Sequence, residues 1–111
     1  IWTTGDTPRE WPACGEFDLV ELLGHTPNRL HTSVHFSVDG RKEKDRHRLD
    51  VPGVGAGFHV WAMDWRPDRV DFYFDGELYH SFDVARADER TGNAFRRPHF
   101  VRLNFSLGGN W

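Results

Sequence analysis

Runs in which apolar and polar residues alternate dominate the chain, and this period of two predicts β-strands. Each run is bounded by Gly, Pro or Asn, and no window shows a sustained helical period. Between the fourth and fifth runs, the dipeptide Asp75-Gly76 predicts a two-residue hairpin turn. Six short strands joined by turns predict an all-β fold, an antiparallel β-sandwich or part of one. The predicted strands cover residues 15–23, 29–38, 58–65, 70–75, 78–82 and 99–107.

Two of these runs divide cleanly into an apolar and a polar face. In residues 99–107 every second residue from Val101 onward is apolar and is expected to pack, while the residues between them are polar. In residues 29–38, too, every second residue is polar. A polar sheet face is either plain solvent surface or the floor of a cleft, and the pattern leaves both open. The polar segment 84–97 predicts a surface loop with at most one helical turn, and the basic run 41–48, interleaved with acids, predicts a solvated loop or edge.

Composition narrows the function classes. The chain has 111 residues, enough for one domain at most. Lys and Arg total 14 against 17 Asp and Glu, a net charge of -3 that argues against a nucleic-acid partner, and no apolar run is long enough to predict a membrane span. The single cysteine, Cys14, excludes an internal disulfide and has neither the spacing nor the partners of a zinc site, so we expect no metal site built on it.

The strand at residues 15–23 carries three acids in an unusual phase. Glu16 and Asp18 share one face of a regular strand, whereas Glu21 points to the other, so one face would bury an unpaired charge at high cost. One extra residue around Leu19 and Val20 restores the phase and puts all three acids in a row. The sequence therefore predicts a β-bulge, a feature that is common beside active sites.

Three carboxylates on one face raise the pKa of at least one of them. A protonated carboxyl beside an ionised one supplies the proton donor and the nucleophile that cleavage of a glycosidic bond requires. Two other interpretations remain open from the spacing alone. One is an exposed acidic strand, and the other is a calcium or manganese site assisted by His35.

Residues 11–21 resemble the signature of glycoside hydrolase family 16, in the bulged form found in laminarinase-like members. Further blocks at 24–28, 32–36, 58–65, 70–79 and 104–111 follow in the order of the family. The resemblance implies a β-jelly roll of the concanavalin-like type, of which residues 1–111 form only the central part of a single catalytic domain. It also implies that no cofactor is required for catalysis, and it leaves room for a structural calcium ion outside this stretch.

The resemblance assigns roles to individual residues. It implies that Glu16 is the nucleophile, that Glu21 is the general acid and base, and that Asp18 assists them. Thr32 stands where many relatives have glycine, so we expect it to narrow the cleft floor, while Trp2 fits the core and a sugar platform equally well. Sugar-binding positions are implied for Trp11, Asn28, His35, Asn104 and Trp111.

The expected function is that of a retaining endo-β-glucanase. It would hydrolyse internal β-1,3 or mixed β-1,3/1,4 bonds through a covalent glycosyl-enzyme, with carboxyl groups roughly 5 to 5.5 Å apart. The alternatives are a non-catalytic β-glucan-recognition protein on the same scaffold and a galactan-cleaving relative of the agarase or carrageenase type. The expected partner is a polysaccharide, bound by a monomer outside the cell, because such polymers are extracellular.

Overall fold

The computed structural model describes residues 1–111 and consists of two antiparallel sheets. The first sheet has the strand order β4-β3-β2-β1-β8 and the second has the order β5-β6-β7. The predicted all-β fold and its antiparallel sandwich are confirmed. No helix has the length and apolar character that crossing a membrane would require. The strands are β1 Trp2–Gly5, β2 Glu16–Leu23, β3 Thr26–Val38, β4 Arg41–Asp50, β5 Trp61–Trp65, β6 Arg69–Phe74, β7 Glu77–Asp83 and β8 His99–Arg102.

Two hairpins share one turn chemistry. Asp75 and Gly76 have positive φ angles of 48° and 86°, as the predicted turn between β6 and β7 requires. Asp39 and Gly40 have the same pair of conformations, with φ angles of 49° and 80°, and they join β3 to β4. The basic run 41–48 therefore belongs to a ten-residue edge strand, in agreement with the edge alternative.

The main core lies between the two sheets and draws on segment 84–97, which was predicted as a surface loop. That prediction is wrong, because Phe95 is 1% exposed and stacks on Phe17 at 4.3 Å between ring centroids. Asn93 makes this burial tolerable, since it accepts a hydrogen bond from the Phe95 N–H and donates one to the Val84 carbonyl. The core cluster comprises Phe17, Val34, Phe36, Val70, Phe72, Phe82, Val84, Ala87 and Phe95.

The last strand is shorter than predicted. β8 ends at Arg102, which lies opposite Trp2, the first residue of its partner β1. The apolar side chains that were expected to pack are exposed. The exposed positions are Val101, Leu103, Phe105 and Leu107.

Candidate active site

The predicted bulge is present in β2. Asp18 lies opposite Ser33 and Glu21 lies opposite His31, so two residues of β2 face the single residue Thr32 of β3. Because Ser33 and His31 are alternate residues of one strand, their partners Asp18 and Glu21 share a face. Glu16, opposite His35, lies on that same face. The bulge therefore places the three acids together on the face that points away from the core.

Hydrogen bonds from two directions hold the bulge in place. The N–H groups of Leu19 and Val20 donate to the Ile1 carbonyl at 2.9 and 3.3 Å. The Leu19 carbonyl accepts from the Thr32 hydroxyl at 3.0 Å and from the Tyr79 hydroxyl at 3.1 Å. Thr32 is thus buried on the core side of β3, and the expectation that it narrows the cleft floor is wrong.

His35 and Trp11 complete the immediate surroundings of the acids. The His35 Nε2 atom lies 3.3 Å from an Asp18 oxygen and 3.9 Å from a Glu16 oxygen. The Trp11 indole N–H donates to the other Glu16 oxygen at 3.1 Å, and its half-exposed ring lies 5.6 Å from the His35 ring. The structure therefore brings together five of the residues that the sequence singled out, and one of them, Trp11, is half-exposed.

Burial and mutual repulsion shift the acidities of this cluster. Burial, followed by the negative charge of Asp18, raises the pKa of Glu16 to about 7. The same two causes, in the same order, raise the pKa of Glu21, while His35 and Arg46 oppose the shift. The hydrogen bond with Asp18 raises the pKa of His35. The cluster therefore retains a proton close to neutral pH, as acid catalysis requires.

The same residues contain one set of donor atoms with metal-binding spacing. Single donor atoms of Glu16, Asp18 and His35 all lie within 4.8 Å of one another. A calcium ion takes about six to eight oxygen ligands, and this set offers two carboxylates and one nitrogen. The arrangement suits proton transfer better than calcium binding.

The remaining predicted sugar-binding residues divide between two faces. Asn104 accepts a hydrogen bond from the Trp2 indole N–H at 2.7 Å, and Trp2 lies opposite Asp18 in the sheet, on the face of the acids. The Trp111 ring contacts His31 edge-on at 5.1 Å on this face. Asn28 is not brought to it, because its side chain accepts from the Gly53 N–H at 3.0 Å, on the core side of β3.

A row of cations that was not predicted from the sequence lies on the face of the acids. In the register of β3 and β4, Lys44 lies opposite His35, Arg46 opposite Ser33, and Arg48 opposite His31. The even-numbered basic residues of β4 therefore share the face of the acids, and the odd-numbered residues point to the core side. The sequence contains a signal for this row, because a basic residue recurs at every second position from 42 to 48. We call the four residues Lys42, Lys44, Arg46 and Arg48 the cationic row.

Comparison with known proteins decides the family. The model of glycosyl hydrolases family 16 matches residues 1–111. The chain belongs to this family. The resemblance inferred from the motifs is thereby confirmed, and the bulged acid strand of this family 16 chain lies inside the matched region.

Family 16 relatives resemble the chain in sequence and in structure. It is 29% identical to a glucan endo-1,3-β-glucosidase of Cryptopygus antarcticus over 91% of its length, and 28% identical to a β-glucanase of Rhodothermus marinus, also over 91%. A crystallised non-specific endo-β-1,3(4)-glucanase of family 16 superposes with a TM-score of 0.76 at 25% identity, over 88% of this chain and 39% of that one. The chain spans 40% and 37% of the two relatives in sequence.

Proposed function

We propose that the full-length protein hydrolyses internal β-1,3 or mixed β-1,3/1,4 glucan bonds with retention of configuration. One observation carries the proposal: the bulge in β2 aligns Glu16, Asp18 and Glu21 on one face beside the half-exposed ring of Trp11. The names of the family 16 relatives, which are glucanases, support the same substrate class. A non-catalytic glucan-binding role would not need three acids at this spacing.

In the proposed mechanism each acid has a separate role. The Glu16 carboxylate attacks the anomeric carbon while Glu21 gives its proton to the departing glycosidic oxygen, which leaves a covalent glycosyl-enzyme. Glu21 then takes a proton from water, and the water oxygen displaces Glu16. Burial and the charge of Asp18 raise the pKa of both glutamates, and only Glu16 has the Trp11 indole N–H, which favours its ionised form.

The test is the configuration of the first product. Laminarin and lichenan are incubated with the full-length protein, and proton NMR follows the anomeric signals before mutarotation. The β-anomer is expected first, with reducing ends released from within the polymer. Appearance of the α-anomer first would contradict retention. Binding of both glucans with no reducing ends released would instead establish the recognition alternative, and cleavage confined to agarose or carrageenan would establish the galactan-cleaving one.

The surroundings of such an enzyme follow from its substrate. Glucan polymers of this kind lie outside cells, so we propose an extracellular protein that acts as a monomer. The proposed chemistry needs only carboxylates and water, so we propose that no cofactor takes part. Residues 1–111 would form the central part of its catalytic domain.

The bulge yields a separate prediction about positioning. The double variant Thr32→Val/Tyr79→Phe removes both hydroxyls that donate to the Leu19 carbonyl. We expect a loss of about 2 to 3 kcal/mol in the free energy of unfolding for the double variant and about 1 kcal/mol for each single variant. Turnover of laminarin should fall as well, because the bulge sets the position of Glu21. Urea unfolding and initial rates measure the two effects.

The chain offers a matched control for this prediction. Tyr73 is the only other tyrosine, it is half-buried, and its hydroxyl makes no hydrogen bond within the protein. Tyr73→Phe is expected to change neither stability nor turnover. If Thr32→Val/Tyr79→Phe matched the wild type in both measurements, the two hydroxyls would have no part in holding the bulge.

A further inference from the structure

The cationic row is exposed and unpaired. All four of its side chains are exposed, and none takes part in an ion pair of the structure. The odd-numbered residues of β4 behave differently. Asp45, for example, pairs with His80 at 2.8 Å and with Arg86. In a chain with a net charge of -3, four free cations on one face of one strand form a local positive field.

The row borders the position at which a sugar would stack. The Lys42 Nζ atom lies 5.1 Å from the centroid of the Trp11 ring, which also donates to Glu16. One strand, β3, separates β4 from the acids of β2, so the two rows are about 9 to 10 Å apart. A substituent that contacts the cationic row would therefore be carried by a neighbouring sugar of the polysaccharide, and not by the sugar whose anomeric carbon reacts.

A buried, unpartnered histidine lies between the row and the acids. His31 is only 4% exposed, and neither ring nitrogen has a hydrogen-bond partner. It lies opposite Glu21 on one side and Arg48 on the other, beneath the ring of Trp111. Burial and then the charge of Arg48 lower the pKa of His31, so the neutral ring can both donate and accept. A buried polar side chain without a partner is rare in a folded protein, and this one favours a polar ligand group on the face of the acids.

We propose that the cationic row is a subsite for anionic substituents of the polysaccharide, either sulfate esters or carboxylates. The enzyme then prefers an anionic β-glycan to a neutral one with the same backbone. The arginine guanidinium can donate two parallel N–H groups to a carboxylate or to a sulfate. The lysine ammonium attracts either anion as a single positive charge. This inference rests on the proposed glycoside hydrolysis and names the substrate class of that site.

A nucleic acid fits the same face poorly. Each strand of a duplex carries one phosphate for about every 3.4 Å of helix axis, so some phosphates would lie over Glu16, Asp18 and Glu21. Repulsion by these carboxylates would offset the attraction of the row. A glycan with spaced substituents avoids this conflict, because an uncharged ring can occupy the acids while the charged group contacts β4.

The experiment compares three substrates with one backbone. The kcat/KM of the full-length protein is measured on laminarin, sulfated laminarin and carboxymethyl laminarin of equal length, at about 10 mM and about 150 mM ionic strength. We expect kcat/KM to be roughly tenfold higher on at least one anionic form at low salt, and the advantage to shrink at high salt. Which anionic form is preferred distinguishes sulfate from carboxylate.

Variants on the two faces of β4 provide the control. Lys44→Gln/Arg48→Gln should lower the ratio of kcat/KM on the anionic form to that on laminarin by about 3- to 10-fold. Arg41→Gln removes a charge from the same strand on the opposite face and should leave the ratio unchanged. If the wild type has similar kcat/KM values on the anionic form and on laminarin, or if this ratio falls equally in both variants, the subsite is overturned. The proposed hydrolase activity would not be affected by either result.

Binding measurements separate the two proposals. If no laminarin is cleaved, the proposed function fails, and the subsite is then tested by titrating sulfated, carboxymethyl and neutral laminarin oligosaccharides. Tighter binding of an anionic form that weakens in Lys44→Gln/Arg48→Gln supports the subsite, and equal binding of all three overturns it. A single-stranded DNA oligonucleotide that binds more tightly than either anionic glycan, and loses affinity in the same variant, would overturn the glycan assignment in favour of nucleic acid.

Discussion

Glu16→Gln is expected to reduce kcat on laminarin by roughly 10⁴- to 10⁶-fold, the scale seen when an enzyme loses its nucleophile. The amide has the shape of the carboxyl group, but it cannot form the glycosyl ester. It can still accept the indole N–H of Trp11, so the sugar-binding surface should remain intact. Initial rates and isothermal titration with laminarin oligosaccharides measure the two properties, and binding should change by less than about threefold.

Glu77→Gln is the matched control, because Glu77 is exposed at the start of β7 in the other sheet. It should retain full activity. A kcat of Glu16→Gln within tenfold of the wild type would remove Glu16 from the nucleophile role.

Glu16→Gln has a second expected effect, on the stability of the fold. Because folding raises the pKa of Glu16 from 4.5 to about 7, the folded state holds more protons than the unfolded state between these values. Stability therefore falls as pH rises through this window, and Glu16→Gln removes that loss. After a discount for solvent screening, the free energy of unfolding of Glu16→Gln should exceed that of the wild type by about 1 kcal/mol above pH 7. The difference should be close to zero at pH 4. Thermal unfolding at the two pH values tests it, and an equal effect at both would contradict the linkage.

Glu21→Ala should fail in a way that depends on the leaving group. On natural glucan, loss of the proton donor is expected to lower kcat by about 10² to 10⁴-fold. An aryl glycoside with an activated leaving group needs little protonation, so the glycosyl-enzyme still forms and then accumulates because no base activates water. Azide needs no deprotonation and should restore turnover, with a β-glycosyl azide as the product.

The anomeric configuration of the azide product distinguishes the two glutamates. Glu16→Ala, in which the nucleophile is missing, should give an α-glycosyl azide by direct attack or no product at all. Proton NMR of the purified azides decides between the two configurations. An α-azide from Glu21→Ala together with a β-azide from Glu16→Ala would mean that the two roles are reversed.

The sequence by itself determined those features that depend on neighbours along the chain. The dipeptide Asp75-Gly76 predicts its hairpin because a primed turn needs two residues with positive φ, and Asp39-Gly40 carries the same signal. The bulge was predictable because a regular strand would have buried a charge from Glu16 or Glu21. Both are local conflicts between side-chain chemistry and backbone geometry.

Only the tertiary structure decided what meets across strands and sheets. The sequence shows alternating charges at 41–48, but only the pairing of β4 with β3 puts Lys44 beside His35 and turns the even-numbered residues toward the acids. The resemblance put Thr32 on the cleft floor, whereas the alternation of residues 29–38 puts it on the apolar face, where its hydroxyl meets Leu19 and Tyr79. Phe95 is buried although its segment is polar. Its ring packs in the core between the two sheets, and the Asn93 side chain accepts a hydrogen bond from its N–H group.

The end of β8 shows the same division. Alternation predicted a strand through residue 107, whereas β8 pairs with β1 only from His99 to Arg102. A strand is stable only while a neighbour satisfies its N–H and C=O groups, and a period of two along one segment contains no information about the length of its partner. Local pattern therefore specified which residues favour a strand, whereas non-local pairing specified where the strand ends and which chemistry its faces bring together.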